Sequence, residues 1–222
     1  MDLFHGLIQE TIKITDNIQI NKNYKIINFY EDFNQEISEF PQYLRYLCLG
    51  WYFNRKIKDF PQYLLYLHLG FEFCQKFNEL SQYLLYLHLG VRFNHKIKEF
   101  PKYLLYLRLG SNLDHKINKF PKHLLYLHLG DKFNDEINKF PQYLSYLHLG
   151  WEFNHKINKI SQYLLYLRLG WEFNHKIEQF PQYLSYLRLG CQCNQKIHNY
   201  PKSLLNVYYY KHQNPLIPEC FQ

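Results

Sequence analysis

Histidine and cysteine are the residues in this chain whose chemistry must be weighed first. The tripeptide His-Lys-Ile occurs at His95, His115, His155 and His175, spaced by 20 residues or a multiple of 20. A row of imidazoles suggests metal binding or proton transfer. Yet no carboxylate accompanies them at a fixed offset, and a metal needs several ligands converging on one point. These histidines are expected on a solvated turn. A second set, Cys191 and Cys193 with His198, His212 and Cys220 downstream, suggests a zinc-held cap. Structural zinc sites pair their ligands two to four residues apart on each side, and here the first pair is tighter and the second is missing. Cys193 is instead expected to pack as a small apolar residue. No metal or cofactor is therefore expected. The chain also lacks G-x-S-x-G, a P-loop, a dinucleotide fingerprint and H-E-x-x-H. The expectation is a protein that is not an enzyme.

What must position these side chains is a repeat. From Glu31 the sequence runs in blocks of 20 with no insertion, such as WYFNRKIKDFPQYLLYLHLG, and eight complete blocks end at Gly190. A ninth, CQCNQKIHNYPKSLLNVYYY, keeps the first half and loses the ending. The common form is x-x-F-N-x-x-I-x-x-F-P-x-Y-L-x-Y-L-x-L-G, and eight of the nine glycines close a block. Three segments follow: residues 1–30 as an N-terminal non-repeat cap, 31–210 as the repeats, and 211–222 as a tail.

Within a block, Tyr146, Leu147, His148 and Leu149 alternate outward and inward, the period of a half-buried strand. Only eight residues separate Pro141 from Gly150, a 20-residue coil cannot hold a helix pair, and tyrosine-rich alternation favours a strand. The first half supplies inward Phe133, Ile137 and Phe140, with Pro141 pushing Phe140 toward extended geometry. A back wall of irregular or 3₁₀ turns fits this half. The glycine suits the turn leaving the strand, through positive φ or close backbone approach. Asparagine recurs after the phenylalanine, at Asn34, Asn54, Asn94, Asn134, Asn154, Asn174 and Asn194. Such a ladder would satisfy the backbone groups of the turn in every coil. One coil cannot cover its own flanks, so the coils must stack.

Composition narrows the setting. The formal charge is +7 with a pI near 9.0, but lysines and glutamates are mixed through the repeats. That balance permits an acidic protein, a nucleic acid or an anionic membrane as partner and selects none of them. A mixed, solvated surface is the reading that fits; of these partners a protein is expected and nucleic acid is not. The five cysteines are unevenly spaced and imply no disulfide framework. MDLFHGLIQETIKITD has neither the basic leader nor the apolar core of a signal peptide. No apolar run approaches the ~20 residues of a membrane span. A soluble intracellular, cytoplasmic protein is expected, with no membrane contact.

The phrase FNxxIxxFPxxLxxLxLG resembles the FNIP repeat, a leucine-rich-repeat-like unit of proteins from social amoebae and from large viruses that infect amoebae. The match covers residues 31–210, and WEFNHKINKISQYLLYLRLG carries every apolar and asparagine position of it, with Ile160 for phenylalanine and Ser161 where proline is usual. The resemblance implies a leucine-rich-repeat-like solenoid, with a curved parallel β-sheet on one face and irregular or 3₁₀ turns on the other. Family members often carry an F-box that recruits a ubiquitin ligase while the repeats bind the target. The first 30 residues show no F-box-like Leu-Pro start. They resemble a degenerate capping coil, with Ile26, Ile27 and Phe29 near the strand positions. A ligase role would then need a separate recruiting chain.

With the leucines inward, two outward columns run across the coils. One is Tyr46, Tyr66, Tyr86, Tyr106, Tyr126, Tyr146, Tyr166 and Tyr186. The other is Cys48, His68, His88, Arg108, His128, His148, Arg168 and Arg188. Tyrosine and arginine are frequent binding hot spots, and a His/Arg row can grip carboxylates or phosphates. The sequence therefore points to a protein-interaction scaffold binding an acidic protein segment here. Two alternatives stand beside it: nucleic-acid binding with tyrosines stacked on bases, and rings that merely stack on one another. Trp51, Trp151 and Trp171 open their blocks, either as anchors at one rim or as covers for the neighbouring coil's phenylalanine. The tail, with Pro215 and Pro218, is expected to shield the last strand edge.

Overall fold

A computed structural model of the protein describes residues 13–14, 20–193 and 199–209. Asn194, His198, His212, Cys220 and the 211–222 tail lie outside the described residues. The chain forms one parallel sheet whose strands lie in chain order. They are β1 (Lys13–Ile14), β2 (Ile26–Phe29), β3 (Tyr46–Cys48), β4 (Tyr66–His68), β5 (Tyr86–His88), β6 (Tyr106–Arg108), β7 (Tyr126–His128), β8 (Tyr146–His148), β9 (Tyr166–Arg168), β10 (Tyr186–Leu189) and β11 (Asn206–Tyr209). No helix forms among the described residues, so none there is long and apolar enough to cross a membrane.

From β3 to β10 the register is one coil, Tyr on Tyr and Leu on Leu, as in Tyr46↔Tyr66 and Leu47↔Leu67. The strands are short because each coil turns twice. The amide of Leu44 donates to the Pro41 carbonyl at 3.1 Å, and that of Phe53 to the Gly50 carbonyl at 3.2 Å. Both are four-residue turns, one entering the strand and one leaving it. The rest of the coil is irregular, with no 3₁₀ helix among the described residues. The leucines before, within and after each strand are buried, as are Phe53, Phe73, Phe93, Phe133, Phe153 and Phe173. These rows fuse into one continuous core. Ile27 and Phe29 of β2 occupy the same leucine columns, so the sheet begins before the first full block.

The glycine at each block end is there for close approach. A Cβ on Gly130 would overlap the Gly110 carbonyl oxygen, and the same holds along the column. No larger residue fits where consecutive backbones touch. Ser161, standing where proline is usual, uses its hydroxyl instead. It donates to the Gln142 carbonyl at 2.8 Å and accepts from the Tyr163 amide at 3.2 Å.

The coils fan apart away from the sheet. Tyrosine rings on the outer face of the sheet are 3.9–4.3 Å apart, closer than the ~4.8 Å between strands. At the back, Phe100 and Phe120 are 6.4 Å apart. The sheet therefore lines the concave side of a curved solenoid.

Candidate partner-binding surface

All the residues of the two outward columns fall on this concave face, in unbroken register from β3 to β10. The eight tyrosines form one pile, each ring turned 9–12° from the last. Rings packed this closely leave no face for a ligand, and Tyr66 is only 7% exposed. What they offer outward is a rail of phenol hydroxyls bonded to one another along the pile. Burial, with the neighbouring tyrosines, raises the pKa of Tyr66, Tyr106 and Tyr126, and lifts Tyr146 to about 12. The rail is neutral.

The second column alternates in character. His68 and His88 lie 4.1 Å apart, and His128 and His148 lie 3.9 Å apart, with Arg108 between the two pairs. Burial lowers His88 to about 2, with His68 and Arg108 adding to it. Burial also takes His128 to about 2 and His148 to about 3, assisted by their cationic neighbours. His148 is 9% exposed. These imidazoles are neutral near pH 7. The charge of the column sits on Arg108 and on the adjacent Arg168 and Arg188. Cys48 heads the column as a protonated thiol, raised to about 11 by burial.

Beside these columns runs a third that the sequence reading passed over. Tyr43, Tyr83, Tyr103, Tyr143, Tyr163 and Tyr183 occupy the turn before each strand and are all exposed, Tyr43 at 57%. Their rings stand about 6 Å apart, as in Tyr143–Tyr163 at 6.1 Å, so each keeps reachable surface. This column borders the sheet face, since Arg45 donates to the Tyr63 carbonyl at 3.2 Å and lies over its ring. The signal was present in the repeated PxYL. It was missed because the strand's alternation was not extended into the turn.

The His-Lys-Ile histidines have a structural task. Nε2 of His155 lies 2.9 Å from the Asn134 carbonyl and that of His175 2.9 Å from the Asn154 carbonyl; His95 and His115 repeat the contact. A carbonyl only accepts, so each ring donates from Nε2 to the coil before it. The asparagines act alongside: the amides of Asn54, Asn154 and Asn174 donate to Oδ1 of Asn34, Asn134 and Asn154 at 2.9–3.0 Å. Cys193 is buried in the phenylalanine column. Among the described residues no three His, Cys, Asp or Glu side chains converge as a metal site.

Two solved structures share this architecture. CroV588, a circular leucine-rich-repeat protein of the giant virus CroV, is 36% identical with a TM-score of 0.70, over 81% of this chain and 29% of that one. YopM from Yersinia enterocolitica WA-314 is 18% identical with a TM-score of 0.59, over 89% of this chain and 50% of that one. The fold is a leucine-rich-repeat-like solenoid. The chain thus spans under a third of the viral protein's length and half of YopM's. Neither a family model nor a curated protein sequence matches it.

Proposed function

We propose that the protein is a non-enzymatic, intracellular scaffold of FNIP-type repeats that binds an acidic segment of a protein partner on its concave face. The observation that carries this is a sheet face with Arg168 and Arg188 on neighbouring strands and the exposed Tyr143, Tyr163 and Tyr183 on the turns that lead into β8, β9 and β10. Arginine supplies forked donors for carboxylates, and half-exposed tyrosine supplies rigid contact area at little entropic cost. On the strands before the arginines, the neutral His128 and His148 continue the same column as a dry, polar floor that asks for hydrogen bonds instead of charge. A protein segment suits this better than a nucleic acid, because the closely stacked inner tyrosines have no free face for a base.

Affinity capture read by mass spectrometry tests the proposal. The wild type is compared with Arg168→Gln/Arg188→Gln and with Tyr143→Ala/Tyr163→Ala/Tyr183→Ala. A partner retained by the wild type and lost from both variants is expected, with affinity that falls as salt rises. Identical capture by all three would remove the concave face as the binding surface.

A further inference from the structure

Block position 1 forms its own column along the rim where the chain leaves the sheet: Glu31, Trp51, Phe71, Val91, Ser111, Asp131, Trp151, Trp171, Cys191. The order acid, tryptophan, aromatic occurs twice, 100 residues or five coils apart, and takes in all three tryptophans of the chain. Trp51 stacks on Phe71 at 4.5 Å and 5°, and Trp151 on Trp171 at 4.6 Å and 6°. One face of each leading ring is thereby covered. The other face turns to the preceding coil, where the column carries the carboxylate. Trp51 and Trp151 remain 48% and 47% exposed. An open indole face beside a carboxylate is suited to a cation.

The two copies differ in what stands beside them. At the second, the niche holds His148 and Arg168 with Asp131, Trp151 and Trp171, and its cavity is about 20 Å³. At the first, the corresponding residues are Cys48 and His68, and a cavity of about 320 Å³ opens among Tyr30, Glu31, Trp51 and Phe71. The second copy thus has an arginine of the chain itself lining the same cavity as its carboxylate and aromatic pair. The first has the same carboxylate and rings with the arginine replaced and the space left open.

We propose that the first niche binds an arginine side chain presented by a protein partner, with Glu31 and the free face of Trp51 as its contacts. A planar, weakly hydrated guanidinium stacks on an indole and forks onto a carboxylate, which a compact ammonium does less well. The cavity takes that group with part of its stem, and is too large for a bare ion. The site lies on the rim, where Cys48 and His68 at the end of the second concave column help to line it, and adds a basic residue to the chemistry of the partner.

The tryptophans report on it directly. In a Trp151→Phe/Trp171→Phe background, Trp51 fluorescence is followed during titration with a blocked arginine tripeptide and with its citrulline counterpart, which keeps the shape and loses the charge. A saturable change is expected with arginine, weakened roughly tenfold or more by citrulline and by Glu31→Gln. Converting the first niche into the second, by Cys48→His with His68→Arg, should abolish binding. Histidine and arginine already occupy that column in other coils, so this variant is expected to keep the wild-type circular dichroism spectrum and melting temperature. No saturable change in the parent, equal affinity for arginine and citrulline, or undiminished binding after the conversion would each overturn the assignment. Arg168→Gln/Arg188→Gln should leave the titration unaltered.

Discussion

His88, His128 and His148 show how packing sets charge at the scale of one residue. Each is held well below the ordinary value near 6.5, so the unfolded chain takes up protons in a range where the folded one does not. Their contribution to stability is complete above pH ~6.5 and declines as pH falls through the window toward 2–3. The slope is at most about 1.4 kcal/mol per pH unit for each, or roughly 4 kcal/mol for the three. Urea midpoints should therefore drop steeply as pH falls from about 6.5 toward 3, and less so in a His88→Gln/His128→Gln/His148→Gln variant. A profile equally steep in both would mean that other groups carry the acid sensitivity. Gly130→Ala tests the backbone contact in the same way. With the Gly110 oxygen in the path of a Cβ, a loss of roughly 3 kcal/mol or more in urea unfolding is expected; a loss no larger than an exposed Gly→Ala change would contradict it.

At the scale of the coil, the strand was legible from Tyr146 to Leu149 because alternation needs only local sequence. The phenylalanine and asparagine columns were legible because each occupies a fixed place in the block. Partners one coil away were not. The bond from His155 to Asn134 joins residues 21 apart, and nothing inside a single block shows that position 5 of one coil lies over position 4 of the last. The part-burial of the tyrosine pile was hidden for a related reason, since outward alternation marks a face and says nothing about how tightly the curved sheet closes its rings. The asparagine ladder makes a sharp prediction at this scale. Asn154→Ala leaves the Asn174 amide without its acceptor and should cost about 1–3 kcal/mol. Asn154→Asp keeps an acceptor oxygen and should cost less. Equal losses measured by urea unfolding would show that the amide NH₂ carries the ladder instead.

For the whole molecule, one interface repeats along the stack. Stability is then a sum over coils and their contacts. Removing residues 111–130 joins coils that meet as their neighbours do; the shortened protein should keep its circular dichroism spectrum and lose stability gradually. Removing 111–120 breaks the register and should abolish cooperative unfolding. Curvature gives the stack two unlike surfaces. The concave one carries tyrosine hydroxyls, neutral imidazoles and the Arg168–Arg188 pair, with exposed tyrosines along its border. The convex one carries a groove of about 650 Å³ between adjacent coils, edged by Lys96, Lys98, Lys102, Lys119 and Lys122. Both are basic, so charge alone does not choose between them. The deciding measurement is side-chain labelling of the captured complex, read residue by residue by mass spectrometry against the protein alone. Protection of Tyr143, Tyr163, Tyr183, Arg168 and Arg188, with Lys98 and Lys119 still labelled, is the predicted result. Protection confined to the lysines of the convex groove would contradict it and move the binding surface to the back of the solenoid.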